Sequence, residues 1–240
     1  MIRKTKIIAT IGPATSSLIM LKKIIKAGVN VCRLNFSHLQ HTEAKEIISR
    51  IKQINQQLNV HTAILADLQG PKIRVGVLPK PINLVKDEKV FFSTNRTSKK
   101  LTNIGSKNNA LHIGYGDFAK DVTVGDRVLI DDGKIELKVV SSNKISIVET
   151  QVVFGGVLSS NKGVNLPNTK ISLPSLTKKD KNDLKFILSQ KIEWLALSFV
   201  RSAEDVLSLK RILKRNNSNL SVISKIEKPE ALEDIDRIIL

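Results

Sequence analysis

Residues 29–68 read VNVCRLNFSHLQHTEAKEIISRIKQINQQLNVHTAILADL, and this stretch decides the fold. An apolar run over residues 29–36 is followed by a helical pattern over 41–58 and by a second apolar run over 61–68. Runs that are apolar on both faces and joined through an amphipathic helix are typical of parallel strands buried under helices. The stretch therefore predicts a βαβ unit.

The same alternation of strands and helices flanks this unit on both sides. Upstream, we expect a strand over residues 5–11 and a helix over residues 17–27 that ends at Gly28. Downstream of Pro174, Thr177 and Asp180 resemble a capping box, which opens a helix. The predicted elements from there are a helix to residue 188, a strand over 192–199, a helix over 203–215, a strand over 220–226 and a helix over 229–240.

Between residues 71 and 173 the hydrophobic period changes from 3.6 residues to two. Turn sequences such as Asp132-Gly133 separate short alternating runs, which predicts an inserted small antiparallel β-barrel domain, or β lid domain, over 71–173. The flanking βα units then form one discontinuous domain over residues 1–70 and 174–240. Five βα units fall short of eight, so the predicted fold is α/β, a partial TIM (β/α)8 barrel that is either an open sheet or an incomplete copy of a longer barrel.

The composition excludes several classes of protein. With 41% hydrophobic and 25% charged residues, the chain has the make-up of a globular protein with a sizeable core. It contains no apolar run long enough to cross a membrane, and the short apolar segment over residues 7–11 cannot serve as a signal peptide. The single cysteine, Cys32, has no partner for a disulfide, which suits a reducing compartment. We therefore expect a cytoplasmic protein with no membrane partner.

The charge of the chain suggests a nucleic-acid binder, but its distribution does not. There are 39 Lys and Arg residues against 22 Asp and Glu, a net charge of +17, as in many nucleic-acid-binding domains. The basic residues are nevertheless spread along the whole chain, and aromatic residues make up only 4% of it, too few for base-stacking platforms. We expect mostly solvated surface lysines and no nucleic-acid partner.

Each predicted parallel strand ends in polar side chains. Active sites of α/β proteins lie at the carboxyl ends of parallel strands. One polar end can reflect ordinary hydrogen bonding, but five ends that together carry arginines, a lysine and acids favour a functional site. The five ends are TIGP at 10–13, RLNFSH at 33–38, DLQGPKIR at 67–74, SFVR at 198–201 and KIE at 225–227.

These side chains suggest phosphoryl chemistry. Arg33 and Arg74 have the forked guanidinium that suits phosphate oxygens, and Lys225 offers a compact charge. Glu227 lies two residues further along the same strand, so it shares a face with Lys225. The pair is either an ion pair or part of a Mg²⁺ site. His38 is either a proton shuttle or a structural histidine.

In order and spacing, several motifs resemble those of pyruvate kinases. The resemblance runs over all 240 residues, including the inserted β domain. The motifs are KTKI at 4–7, TIGPA at 10–14, RLNFSH at 33–38, GP at 70–71, IR at 73–74, KGVNLP at 162–167 and ISKIE at 223–227.

The resemblance implies a phosphotransferase that moves a phosphoryl group from phosphoenolpyruvate to ADP, giving pyruvate and ATP in the last step of glycolysis. Arg33 and Lys225 would be catalytic, and Glu227 would be one of two carboxylates that hold Mg²⁺ or Mn²⁺. The implied substrate- and nucleotide-binding residues are Arg33, Asn35, His38, Arg74, Asp132 and Lys162. The implied K⁺ ligands are Asn35, Ser37, Asp67 and the carbonyl of Leu68.

Some positions depart from the commoner family pattern. Many relatives have Thr, Lys and Glu where this chain has Leu68, Gln69 and Lys72, and the version seen here accompanies independence of K⁺. We therefore expect the K⁺ site to be dispensable, with the ammonium of Lys72 in place of the ion. Leu39 replaces a common glycine, and Glu43 stands where some relatives stack an aromatic ring on adenine.

The resemblance also implies that the chain is the N-terminal part of a longer enzyme. It stops before the Gly-Asp-Leu-Gly loop with the second Mg²⁺ carboxylate, before the loop whose threonine assists proton transfer and before the C-terminal domain. We expect the full-length protein to be a homotetramer and the 240-residue chain to be inactive alone. The alternatives are a catalytically inactive fragment or binding module of the same fold, and a polyanion-binding protein, which would explain the charge but none of the motifs.

Overall fold

The computed structural model describes residues 4–95, 109–167 and 169–240. The chain divides into two compact units. The first, which we call the parallel unit, comprises Met1–Pro71 and Pro174–Leu240. The second, which we call the insert unit, comprises Lys72–Leu173.

The described residues form short strands and helices in both units. In chain order the strands are β1 (Ile8–Thr10), β2 (Val31–Asn35), β3 (Ala63–Asp67), β4 (Ile73–Arg74), β5 (Ile82–Leu84), β6 (Lys89–Ser93), β7 (Leu111–His112), β8 (Arg127–Ile130), β9 (Ile135–Ser142), β10 (Ile147–Phe154), β11 (Gly156–Leu158), β12 (Gly163–Asn165), β13 (Trp194–Val200) and β14 (Ser221–Ile226). The helices are α1 (Leu18–Lys26), α2 (His41–Leu58), α3 (Phe118–Asp121), α4 (Lys178–Leu188), α5 (Ala203–Arg215), α6 (Glu230–Glu233) and α7 (Ile235–Ile239).

The parallel unit is built on one five-stranded sheet. Its strand order is β1-β2-β3-β13-β14, and every neighbouring pair is parallel. Apolar side chains of α1, α2, α4 and α5 join those of the strands in a single core, because parallel strands bury both faces under the helices that connect them. The predicted α/β class and parallel βα units are confirmed.

Local sequence explains where these helices begin. The hydroxyl of Ser17 accepts the backbone N–H of Met20 at 3.3 Å and caps α1. Thr177 accepts the N–H of Asp180 at 3.1 Å, and the Asp180 carboxylate accepts the N–H of Thr177 at 2.9 Å. The capping box predicted for α4 is thus confirmed, and each cap satisfies donors that the first helical turn leaves unpaired.

The prediction of one helix over residues 229–240 is wrong, because two short helices, α6 and α7, break at Asp234. The Asp234 carboxylate accepts the N–H of Ala203, the first residue of α5, at 2.7 Å, and also accepts a hydrogen bond from Arg237 at 3.1 Å. The residue has φ −116° and ψ 18°, outside the helical region. A tertiary bond to the start of α5 therefore interrupts the helical run.

The insert unit contains a two-stranded antiparallel sheet of β5 and β11 and a larger sheet that closes on itself. The seven strands of the larger sheet follow the order β4-β12-β8-β9-β10-β6-β7. Beyond β4, Val75 pairs antiparallel with Ile113, the residue after β7, and so joins the two ends of the sheet. Both side chains are buried in the core of the unit. The predicted small β barrel is present, and β6 with β7 is a parallel pair within it.

None of the helices within the described ranges combines the length and the apolar character needed to cross a bilayer.

Two leucines of α5 offer a matched test of the core of the parallel unit. Leu209 has 0% exposed surface, whereas Leu207 is 44% exposed. We expect Leu209→Ala to lower the free energy of unfolding by about 2–5 kcal/mol and Leu207→Ala by about 0.5 kcal/mol or less. Urea unfolding can be followed by fluorescence of the single tryptophan, Trp194, which lies in β13 of the same unit. Equal effects of the two substitutions would contradict the assigned packing of α5.

Candidate active site

A group of charged side chains gathers on the parallel sheet around Asp67, the last residue of β3. Its side chain is only 2% exposed. Alternation along β2 places Arg33 and Asn35 on one face, while the buried Cys32 and Leu34 take the other. Arg33 is paired with Leu65 in the sheet register and so reaches the end of β3.

Two cations and one hydroxyl contact the Asp67 carboxylate. Arg33 donates from Nε at 2.7 Å and places Nη2 at 2.5 Å from the same oxygen. Lys225 of β14 lies with Nζ 3.3 Å from both carboxylate oxygens. Ser198 of β13 has its hydroxyl 3.2 Å from Asp67 Oδ1. A buried carboxylate requires such partners, so Asp67 draws side chains from neighbouring strands to one point.

Further bonds fix this cluster in place. The hydroxyl of Ser198 lies 2.6 Å from the carbonyl of Leu68 and accepts a hydrogen bond from Lys225 at 2.9 Å. Arg33 donates from Nη1 to the hydroxyl of Thr10 at 2.7 Å. The side chains of Arg33 and Lys225 are each 29% exposed. Both cations therefore remain within reach of a ligand.

Glu227 joins the cluster through an irregularity in β13. The pairing of β13 with β14 shifts register between Leu197 and Val200, and Phe199 there has a positive φ of 55°. Its N–H donates to Glu227 Oε2 at 3.0 Å, and Glu227 Oε1 lies 3.5 Å from Lys225 Nζ. Bulges of this kind often re-aim side chains beside functional sites. The predicted proximity of Lys225 and Glu227 is confirmed.

Gly70 allows the chain to turn closely past this irregularity. Its φ is +68°, and a Cβ atom there would lie 3.0 Å from both the Phe199 ring and the Ser198 carbonyl. The N–H of Gly70 donates to the carboxylate of Asp180 at 3.1 Å. Only glycine meets both the left-handed conformation and the close approach without strain.

The cluster suits a phosphorylated anion with a hard metal ion. Its cations are a forked guanidinium and an ammonium, which match phosphate oxygens. Among the residues that the structure describes, no three His, Cys, Asp or Glu side chains are placed to enclose a metal. Glu227, 35% exposed, is one oxygen donor, and Mg²⁺ commonly uses one or two carboxylates together with substrate oxygens. The residues therefore fit a metal that is bound jointly with its substrate.

Asn35 and Leu68 contribute oxygen atoms that already accept hydrogen bonds. The Asn35 side-chain oxygen accepts the N–H of Ser37 at 3.0 Å, and the Leu68 carbonyl lies 2.6 Å from the Ser198 hydroxyl. Such oxygens have the chemistry that K⁺ takes in proteins. At Asp67, however, two cations already balance the carboxylate, so a further cation gains less there.

His38 lies apart from these contacts. It is exposed and lines a cavity of about 320 Å³ near the start of α2, together with His41, Lys179 and Asp183. There the Asp183 carboxylate lies 2.7 Å from His41 Nε2 and 2.6 Å from Lys179 Nζ. Helical spacing of four residues could have indicated the Lys179–Asp183 pair. The contact with His41, 142 residues away from Asp183, left no signal in the sequence.

The insert unit holds the remaining predicted site residues. Arg74 donates from Nη1 to the carbonyl of Asn161 at 2.7 Å. Lys162 donates to Asp131 at 2.9 Å, whereas Asp132 is exposed. Sequence reasoning singled out Asp132 and missed its neighbour Asp131 as the partner of Lys162. Both aspartates have positive φ, and local spacing does not reveal which of the two faces the lysine.

A hydrogen bond from Lys162 holds the pKa of the Asp131 carboxyl below its usual value, with Lys134 adding to the effect and desolvation opposing it. A carboxyl group with a lowered pKa stabilises the folded state at neutral pH, and this contribution is lost as the pH falls through the folded-state pKa. We expect Lys162→Met to raise the pKa of Asp131 towards its ordinary value, as measured by carboxyl ¹³C NMR.

Lys134→Met is the matched control, because Lys134 lies 3.5 Å from Asp131 but Lys162 lies 2.9 Å away. It should raise the pKa of Asp131 by less than Lys162→Met does. An Asp131 titration that is the same in Lys162→Met and in the unmodified chain would show that the pair is not formed.

A five-stranded parallel sheet covered by helices, with cations gathered near its strand ends, defines the parallel unit as an α/β fold with a candidate anion-binding site. A family model described as "Pyruvate kinase, barrel domain" matches residues 2–240. The chain is 41% identical over 242 residues to a pyruvate kinase of Buchnera aphidicola subsp. Schizaphis graminum, covering 100% of this chain and 49% of that protein. It is 42% identical over 240 residues to pyruvate kinase 2 of Synechocystis sp.. That match covers 99% of this chain and 40% of that protein.

The chain therefore belongs to the pyruvate kinase family. The predicted partial TIM barrel with an inserted β domain agrees with the barrel-domain match. The chain spans 40–49% of the length of these relatives.

Proposed function

We propose that the protein acts as a pyruvate kinase, transferring the phosphoryl group of phosphoenolpyruvate to ADP in the cytoplasm. The observation that carries this proposal is the convergence of Arg33 and Lys225 on the buried carboxylate of Asp67, with both cations still partly exposed. Enzymes that transfer phosphoryl groups act mainly by positioning and by electrostatic stabilisation. A pair of fixed cations supplies both.

Within this proposal Arg33 binds the phosphoryl group of the substrate, and Lys225 balances charge that develops during transfer. Asp67 is a positioning residue, because it holds both cations by direct contact. Fixing these groups before the substrate arrives removes the cost of reorganising them during the reaction. Lys225 would also neutralise the enolate oxygen that remains after the phosphoryl group departs.

Glu227 would hold Mg²⁺ or Mn²⁺ together with oxygen atoms of the substrate. A divalent ion bound there would neutralise phosphate charge, as metals generally do in phosphoryl transfer. The N–H of Phe199 donates a hydrogen bond to Oε2 of Glu227 and so orients the carboxylate. In the insert unit, Arg74, Asp132 and Lys162 would serve the nucleotide. In the parallel unit, His38 would contribute to substrate binding.

Substitution of Lys225 tests whether its charge acts mainly in the transition state. We expect Lys225→Met to lower kcat by orders of magnitude with little change in KM, since the lost interaction is made chiefly in the transition state. Arg33 and Ser198 still contact Asp67, so the fold should survive. The assay uses the full-length gene product. Circular dichroism checks that the variant is folded.

Lys45→Met is the control, because Lys45 is an exposed residue of α2 and should leave kcat unchanged. If Lys225 serves only as an ion-pair partner of Asp67 and Glu227, Lys225→Met will lose stability but retain activity in its folded fraction. Near-normal kcat would reject the catalytic role.

We further propose that the enzyme does not need K⁺, because the ammonium of Lys72 takes the place of the ion. Asn35, Ser37, Asp67 and Leu68 offer oxygen ligands, but a tethered ammonium close to a K⁺ ion would repel it. The repulsion is about 4 kcal/mol at ~4 Å and an effective dielectric constant of ~20. Lys72 is exposed, so its ammonium is available to an anionic substrate.

Assays in buffer free of sodium and potassium, with Mg²⁺ present, should show most of the full activity. We expect Lys72→Glu to make activity depend on added K⁺, because the substitution replaces the tethered cation with an anion. Lys80→Glu, at another exposed lysine of the insert unit, makes the same change in charge and should leave the enzyme independent of K⁺. An unmodified enzyme that is silent until K⁺ is added would refute this role of Lys72.

A further inference from the structure

The seam that closes the insert unit carries an arginine and a histidine on its outer face. Val75 pairs with Ile113 across the seam, and both are buried, at 1% and 0% exposure. Because side chains alternate along a strand, the residues that flank this pair point outwards. Arg74 and His112 are therefore on the same, outer face of the seam.

Two glycines occupy the positions directly opposite these side chains. The bonds from Gly76 N–H to the His112 carbonyl and from Gly114 N–H to the Arg74 carbonyl are both 2.8 Å. They set Gly76 opposite His112 and Gly114 opposite Arg74. Arg74 and His112 are thus diagonal neighbours, a relation in which long side chains still reach one another.

Arg74, His112 and the two glycines line an open cavity of about 490 Å³, which the missing glycine side chains leave unfilled. A Cβ atom on Gly76 would lie 2.9 Å from the Cβ of His112, so a larger residue there would collide with the imidazole. Val77 and Asn161 complete the lining, and no carboxylate contributes to it in the part of the chain that the structure describes. The cavity therefore presents positive charge and hydrogen-bond donors without an acidic competitor.

Both side chains have unused hydrogen-bonding capacity. The Asn161 carbonyl takes one of the five N–H donors of the Arg74 guanidinium. The Nδ1 atom of His112 is buried and has no partner within the described residues. A buried atom is not accessible to a ligand in an open cavity, so Nε2 is the ring nitrogen that can meet a ligand beside Arg74.

We propose that His112 is a second phosphate-binding residue, which contacts the same nucleotide phosphate as Arg74 in this cavity. The proposal rests on the proposed function to the extent that Arg74 is taken to bind nucleotide phosphates. A guanidinium and an imidazole on one face give two differently shaped donors for one tetrahedral oxyanion. Position 112 thereby contributes to the affinity for the nucleotide.

NMR of the histidine side chains tests this contact in the 240-residue chain without any need for turnover. The chain has four histidines, so their ring resonances can be assigned by substitution. On titration with inorganic pyrophosphate, and separately with ADP, the His112 resonances should move to saturation. Those of His61, an exposed residue of the parallel unit, should not move.

Calorimetry then measures the energetic contribution. We expect His112→Ala to weaken binding of pyrophosphate and of ADP about tenfold, which corresponds to about 1.4 kcal/mol, while His61→Ala leaves both affinities unchanged. If His112→Ala does not fold, His112→Gln is measured instead. Glutamine keeps a hydrogen-bond donor of similar reach, so the affinity should fall by less than the loss expected for His112→Ala. Arg74→Ala should abolish binding of both probes.

Two results would overturn the proposal. If Arg74→Ala weakens pyrophosphate binding but His112→Ala does not and the His112 resonances stay fixed, His112 has no part in the site, and the proposed function is unaffected. If pyrophosphate binds elsewhere and neither substitution matters, the cavity is not a phosphate site. Failure of the proposed function would instead appear as normal kcat in Lys225→Met, with the shifts of His112 intact.

Discussion

The parallel unit depends on the burial of one carboxylate. Asp67 is 2% exposed at the end of the central strand β3, where an unpaired charge would cost several kcal/mol. Arg33 from one neighbouring strand and Lys225 from two strands away meet this requirement by contact. The same requirement gathers into one place the two cations to which we assign the proposed phosphoryl transfer. Stability and chemistry here have a common origin, because the group that must be neutralised also holds the neutralising side chains in position.

The contacts that Asp67 already makes also limit which other ligands its carboxylate can bind. An ionised carboxylate offers about four lone-pair sites, and contacts from Arg33, Lys225 and Ser198 already occupy this one. A monovalent cation would have to compete with two fixed positive charges for one negative charge. The proposed independence of K⁺ is consistent with this arrangement, because the Asp67 carboxylate is already balanced by Arg33 and Lys225.

Local patterns in the sequence were sufficient to predict most of the helices. The prediction of residues 203–215 coincides with α5, and the capping box of Thr177 is present, because both depend on neighbours within one or two turns. The break at Asp234 was not predictable in this way, since it follows from a bond to Ala203, 31 residues distant. Nor could periodicity show that Lys225 would contact Asp67, 158 residues away. The sequence placed these residues at strand ends, and only the sheet order brings them together.

The two units differ in whether a nearby carboxylate neutralises their basic side chains. In the parallel unit a buried carboxylate neutralises the cations, which keeps Arg33 and Lys225 rigid before a ligand arrives. At the seam of the insert unit Arg74 and His112 face Gly76 and Gly114, which supply space but no counter-charge. A guanidinium without a fixed counter-ion gains more from an anionic ligand, because the ligand replaces solvent and not an existing ion pair. A phosphate bound beside Arg74 would therefore meet no competing carboxylate among the described residues that line this cavity.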